Sequence, residues 1–157
     1  MVPASTLNDA KKLIEAGADD IYLGAASRIF NQYSFNGRSV TSKNGKRVLP
    51  DFEEMHKICS YIHLHDGNVY FLANIPIING NDTIRKEFLK YVRDGIGAGA
   101  DYIILGNLDT LTWVKEEYGN VKTVASSYLE VQNELTLKML EEMGISQIVL
   151  SYQCSLD

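Results

Sequence analysis

The sequence predicts an α/β fold of parallel strand–helix units, and two observations carry that expectation. The first is a repeated joint. Ile14 to Gly24, IEAGADDIYLG, reads as the last turn of a helix, a tight turn and a short buried strand, and Ile96 to Gly106, IGAGADYIILG, repeats it. Leu140 to Ser151, LEEMGISQIVLS, is a looser third copy. In each, a glycine stands where the helix stops, because a residue without Cβ enters the left-handed conformation freely. An apolar run follows, as in a strand covered on both faces. The second observation is the alternation of helical and strand-like segments along the rest of the chain, which implies parallel strands joined by right-handed crossovers.

Met1 to Pro3 is the stub of a first strand, stopped by Pro3. Ser5 or Thr6 caps the next helix, with Asp9 in the first turn, where the helix dipole favours an acid. Ala10, Leu13 and Ile14 form its inward stripe. Ala25 to Pro50 shows neither a 3.6 nor a 2 period and reads as an irregular loop or insertion. Its SKNGKR segment suits a solvated hairpin turn. Asp51 caps a helix running to about His65, with Phe52, Met55, Ile58, Cys59 and Ile62 on one stripe. Further strands are expected at Val69–Asn74, Tyr102–Leu105, Val121–Ala125 and Gln147–Leu150. Further helices are expected from Asn81 or Asp82 to Gly97, over Asp109–Tyr118 and over Val131–Met143.

An open doubly wound sheet and a (β/α)8 barrel both satisfy this order. The first strand–helix turn carries no G-x-G-x-x-G loop, which favours the barrel. A full barrel takes about 250 residues, and this chain has 157. The expectation is therefore one domain over residues 1–157, a partial TIM-barrel-like unit with about six strands of eight, forming the N-terminal part of a longer barrel. Its last strand would leave an open edge, which predicts self-association or a partner segment that completes the wall.

Hydrophobic residues make up 45% of the chain, enough to bury a sizeable core. The net charge of −5 gives no overall basic footprint, so neither a nucleic-acid nor a membrane partner is expected. No apolar run reaches the roughly 18 residues of a membrane span, and the N-terminus lacks a signal-like apolar core. A soluble, cytoplasmic protein is the expectation. Cys59 and Cys154 are far apart, and nothing points to an oxidising compartment, so no disulfide is expected.

The run V-P-A-S to A-G-A-D-D-I-Y-L-G, Val2 to Gly24, resembles the opening of the collagenase-like peptidases of family U32. The likeness continues through Asp51-Phe52-Glu53-Glu54, the strand ending at Asn74, Gly99 to Ile104, Ala125-Ser126 with Asn133, and Gly144 to Ser151. The resemblance implies a barrel-like N-terminal domain. Family members are peptidases, or are linked to oxygen-independent hydroxylation of ubiquinone precursors or ribosomal RNA with iron–sulfur clusters held by four cysteines. The sequence departs from the family pattern at Gly106-Asn107, at Tyr128 and at Tyr152-Gln153, and the family's Cys-containing signature is not among these residues.

In a parallel α/β domain, ligands meet the carboxyl ends of the strands. Those ends offer Asn74, Asn107, Ser127, Tyr128, Tyr152 and Gln153 as binding groups for a small polar molecule or peptide. The candidate nucleophiles are Cys154, just past the last strand, and Ser126, which needs a neighbouring base. His56, His63 and His65 fall on a helix expected outside the barrel. His63 and His65 lie some 200° apart around that helix, so they cannot share a metal. No zinc spacing is present, no cofactor is evident, and two cysteines cannot supply the four thiolates of a cluster. Two readings stay open. One is a peptidase-family hydrolase acting on peptides, with much of its apparatus missing. The other is a non-catalytic ligand-binding or scaffolding module, or a portion of an oxygen-independent hydroxylase of the same family.

Overall fold

The computed structural model describes residues 1–27, 40–41, 47–75 and 82–154. In chain order the elements are β1 (Val2–Pro3), α1 (Leu7–Glu15), β2 (Asp20–Leu23), β3 (Val40–Thr41), β4 (Arg47–Val48), α2 (Phe52–His63) and β5 (Asn68–Leu72). They continue with α3 (Asp82–Gly97), β6 (Tyr102–Leu105), α4 (Leu108–Tyr118), β7 (Lys122–Ala125), a 3-10 turn at Ser127–Leu129, α5 (Glu134–Glu142) and β8 (Gln147–Ile148). Six strands form one sheet in the order β1-β2-β5-β6-β7-β8, every pair parallel, with helices as crossovers. This is a half-barrel, the partial TIM-barrel-like unit of six strands expected from the sequence. Among the described residues β1 pairs only with β2 and β8 only with β7, so these two strands are the edges of the described sheet.

The repeated joint takes the conformation its glycines require. Gly17, Gly99 and Gly144 have φ of 89°, 110° and 74°, each just before a strand. The helix starts follow from their caps. Thr6, of the two candidates, accepts the amide of Asp9 at 3.1 Å, and Asp51 accepts that of Glu54 at 2.8 Å. Asn107 and Asn133 accept those of Asp109 and Thr136 at 2.8 and 2.9 Å. The Asn133 cap explains why α5 starts at Glu134 rather than Val131. Helix α2 ends at His63 rather than His65, and β8 is shorter than the expected Gln147–Leu150. The small β3–β4 pair is antiparallel and brackets the expected hairpin turn, of which 42–46 lie outside the described residues.

Alternation along each strand sends side chains to two faces. On one face Ile21, Leu23, Val69, Phe71, Ile103, Leu105 and Ala125 pack with Ala10, Met55, Ile58, Ile62, Phe88, Val92, Leu111 and Leu140 from the helices. On the other, Tyr70, Leu72, Ile104 and Val124 form a second apolar layer with Tyr22 and Tyr102. Helix α3 approaches β5 closely at Gly95, where an added Cβ would stand 2.5 Å from the Phe71 ring. Cys59 is buried in the helix-side layer. Burial, reinforced by Asp101, pushes its thiol up to about 12.

Gly95→Ala should lower stability by about 1–3 kcal/mol through overpacking against Phe71. Gly97→Ala, at the end of the same helix with nothing within 4 Å of its added Cβ, should raise stability by about 0.5–1 kcal/mol. Urea unfolding midpoints of the two variants check this, and equal shifts would contradict the packing described. Native protein at pH 8 should give one reactive thiol with a disulfide reagent, Cys154, with Cys59 appearing only on unfolding. Both thiols reacting at one rate would contradict the burial of Cys59.

Candidate functional site

The inward side chains of β5, β6 and β7 stand in rows. The first row, near the strand starts, is Tyr70, Tyr102 and Lys122, which are register neighbours. The two phenol rings stack at 4.4 Å and 7°, and Lys122 Nζ lies 4.9 Å from the Tyr102 centroid. Burial raises the Tyr70 phenol above its ordinary value, and a hydrogen bond with Gln147 opposes that rise. The second row, Leu72, Ile104 and Val124, is wholly aliphatic and buried.

The third row lies just past the strand ends and is polar. Asn74 follows β5, Gly106 follows β6 and Ser126 follows β7. Asn74 and Ser126 are 4% and 5% exposed. The Asn74 carboxamide reaches across β6 to Ser126, with Nδ2 donating to Ser126 Oγ at 3.3 Å. Gly106 makes this crossing feasible. A Cβ there would meet Asn74 Oδ1 at 3.0 Å and the Cβ of Tyr128 at 3.2 Å. Ser126 Oγ also accepts the Tyr128 amide at 3.4 Å, which anchors the 3-10 turn.

Asn74 Oδ1 is buried and has no hydrogen-bond partner among the described residues. Leaving such an acceptor unsatisfied costs about 1–3 kcal/mol. The other such atom among the described residues, Thr123 Oγ1, belongs by alternation to the opposite face of β7. Above the third row opens a cavity of about 560 Å³, lined by Met1, Tyr22, Leu72, Asn74, Ile104, Ser126, Ser127, Tyr128, Ile148 and Val149. Its wall is largely apolar, and its polar side chains are an amide, two hydroxyls and two phenols. That combination suits a neutral ligand with one flat apolar side and a hydrogen-bonding edge.

Of the residues named from the sequence, Asn74, Ser126, Ser127 and Tyr128 come together in this cavity. The others lie outside its lining. Asn107 is engaged as the cap of α4. Tyr152 is 91% exposed, and Gln153 accepts from Gln132 at 3.2 Å. Half-buried Cys154 donates its thiol hydrogen to the Val131 carbonyl at 3.3 Å. The three histidines stay on the helix side. His56 Nδ1 lies 3.2 Å from the Ala98 carbonyl and His65 Nδ1 lies 2.8 Å from that of Tyr61. His63 Nε2 lies 2.8 Å from Asp101 Oδ2, which also accepts the Val69 amide at 2.7 Å. Ser126 therefore has no imidazole beside it.

Cys59 packs against Gly99, at the starts of the strands, and Cys154 lies past their ends. The two thiols do not fit one iron–sulfur cluster. Sequence reasoning missed Tyr22, Leu72, Ile104 and Ile148 as cavity wall and Gly106 as the residue that admits Asn74. The available signal was the glycine at a strand end, which marks a close approach of neighbouring groups.

The chain is 24% identical over 155 residues to tRNA hydroxylation protein P of Haemophilus influenzae, covering 99% of this chain and 30% of that protein. It is 23% identical over 155 residues to the Escherichia coli protein of the same name, covering 99% and 31%. It thus spans under a third of the length of these curated relatives. Among solved structures it is similar to the U32 peptidase Mk0906, with a TM-score of 0.65 at 12% identity over 95% of this chain and 56% of that one. That likeness bears on the fold. The sequence model of peptidase family U32 matches residues 5–157. With the half-barrel and its rim in place, this match shows that the chain belongs to peptidase family U32.

Proposed function

We propose that this chain is the substrate-binding wall of a U32 protein that takes part in tRNA hydroxylation, rather than of a peptide hydrolase. The observation that carries the reading is the match over 99% of the chain to two relatives named for that process. The chemistry of the cavity supports it. Ser126 Oγ accepts hydrogen bonds from an amide side chain and a backbone amide, and a serine without a base is a poor nucleophile. Cys154, the other candidate nucleophile, hydrogen-bonds to Val131 outside the cavity lining.

In this reading the wall binds and orients. Tyr22, Leu72 and Ile104 exclude water from the flat side of the bound group, while Asn74 and Ser126 address its polar edge. The net charge of −5 supplies no general phosphate footprint, so contacts to the tRNA backbone fall to other surfaces of the protein.

Deleting the gene in its host and measuring tRNA nucleosides by mass spectrometry tests the proposal. One hydroxylated nucleoside should vanish and return on complementation with the wild-type gene or with Cys154→Ala, while the purified protein leaves gelatin and casein intact. An unchanged nucleoside profile, or peptide release by the purified protein that Cys154→Ala or Ser126→Ala abolishes, would overturn it.

A further inference from the structure

The Asn74 carboxamide is polar, 4% exposed and half-satisfied. Its Nδ2 is fixed by Ser126 Oγ at 3.3 Å, while its Oδ1 sits unpartnered over Gly106. A side chain needed only to fill this space would be better as leucine, which has the same number and branching of side-chain heavy atoms and no acceptor to strand. Ser126 Oγ accepts from both Asn74 and the Tyr128 amide, which leaves its own proton to give.

We propose that Asn74 and Ser126 form a paired reading element for the bound molecule, with Asn74 Oδ1 accepting from a neutral N–H donor and Ser126 Oγ–H donating to an adjacent oxygen. The ligand edge that answers this pair is a neutral amide, with its donor and acceptor side by side and an apolar ring behind it. Gly106 has a defined part. The last side-chain bond of asparagine turns over a broad, shallow range, and the missing Cβ leaves Oδ1 room to turn toward the ligand. The pair holds no charge, and the described residues of the cavity lining include no Lys, Arg or His side chain. A carboxylate edge would set an anion against the unpaired carbonyl of Asn74. The inference rests on reading this cavity as the substrate site, and it adds the residues that discriminate and the type of edge they accept.

The test uses benzamide as a probe, with methyl benzoate, which lacks the N–H donor, and benzoate, the anion, as controls. Each is titrated into the isotope-labelled protein while amide resonances are followed. Benzamide should give saturable shifts at Gly106, Ser126, Tyr128 and the Asn74 side chain. The two controls should bind at least about tenfold more weakly, the scale of one such hydrogen bond. Asn74→Leu should lose benzamide binding by a similar factor while its thermal midpoint stays at or above that of the wild type. Gly106→Ala should weaken benzamide binding as well. Methyl benzoate binding as well as benzamide, no saturable benzamide shift, or an Asn74→Leu variant that binds normally would each overturn the proposal, as would a lowered midpoint for that variant.

The deletion strain separates this inference from the functional reading. If the nucleoside disappears on deletion and Asn74→Leu restores it fully, the paired element fails and the function stands. If the profile never changes while benzamide behaves as described, the function fails and the paired element stands.

Discussion

A parallel sheet curved into half a barrel has two faces to bury, and strict alternation assigns every strand residue to one of them. Phe71 belongs to the helices and Leu72 to the inner wall; Ile103 and Ile104 divide in the same way. A slip of one residue in any strand would exchange the two sets. Several features hold the register. The positive-φ glycines at 17, 99 and 144 set where β2, β6 and β8 begin. The contact of Gly95 with Phe71 fixes α3 over β5. Asp101 accepts the Val69 amide and lies beside His63, tying the starts of β5 and β6 to the end of α2.

The candidate site follows from that register. Counting along the inner face, the first row is two stacked tyrosines with Lys122, the second is aliphatic and the third is neutral and polar. The third row stands where the strands end and the cavity opens. Asn74 is two residues past Leu72, and Ser126 two past Val124, so both inherit the inward direction. Gly106 occupies the corresponding place two past Ile104, and its bare Cα lets one side chain span two inter-strand gaps of roughly 4.8 Å each. The bridge stabilises the rim yet leaves one carbonyl unsatisfied, so the rim is less stable than an all-aliphatic row would make it. Residues that lower stability without a packing reason concentrate at functional sites.

Much of the fold was legible because its signals are local. A glycine after a helix, a cap before one and an apolar run between them are each decided within a few residues. The division of each strand into two faces was not legible, because both sets are apolar in a sheet buried on both sides. The same ambiguity hid Tyr22, Leu72 and Ile104 as cavity wall. Asn74, Ser126, Ser127 and Tyr128 were identifiable from their place just past strands. Asn107 shares that placement but serves as a cap, and no rule of position distinguishes a rim asparagine that caps from one that points inward. Tyr152, Gln153 and Cys154 lie beyond a two-residue β8, where the chain turns toward Val131 and Gln132. The His63–Asp101 contact joins residues 38 apart in the chain, and only the tertiary structure brings them together.

The Asn74 side chain crossing above Gly106 to Ser126 is the contact through which strand register becomes a binding rim. Nuclear Overhauser effects from the Asn74 carboxamide protons test it most directly. The account requires cross-peaks to the Gly106 α-protons and to the Tyr128 β-protons. Cross-peaks instead to Phe88 or Val92 on the helix side would put Asn74 on the other face of the sheet and contradict it.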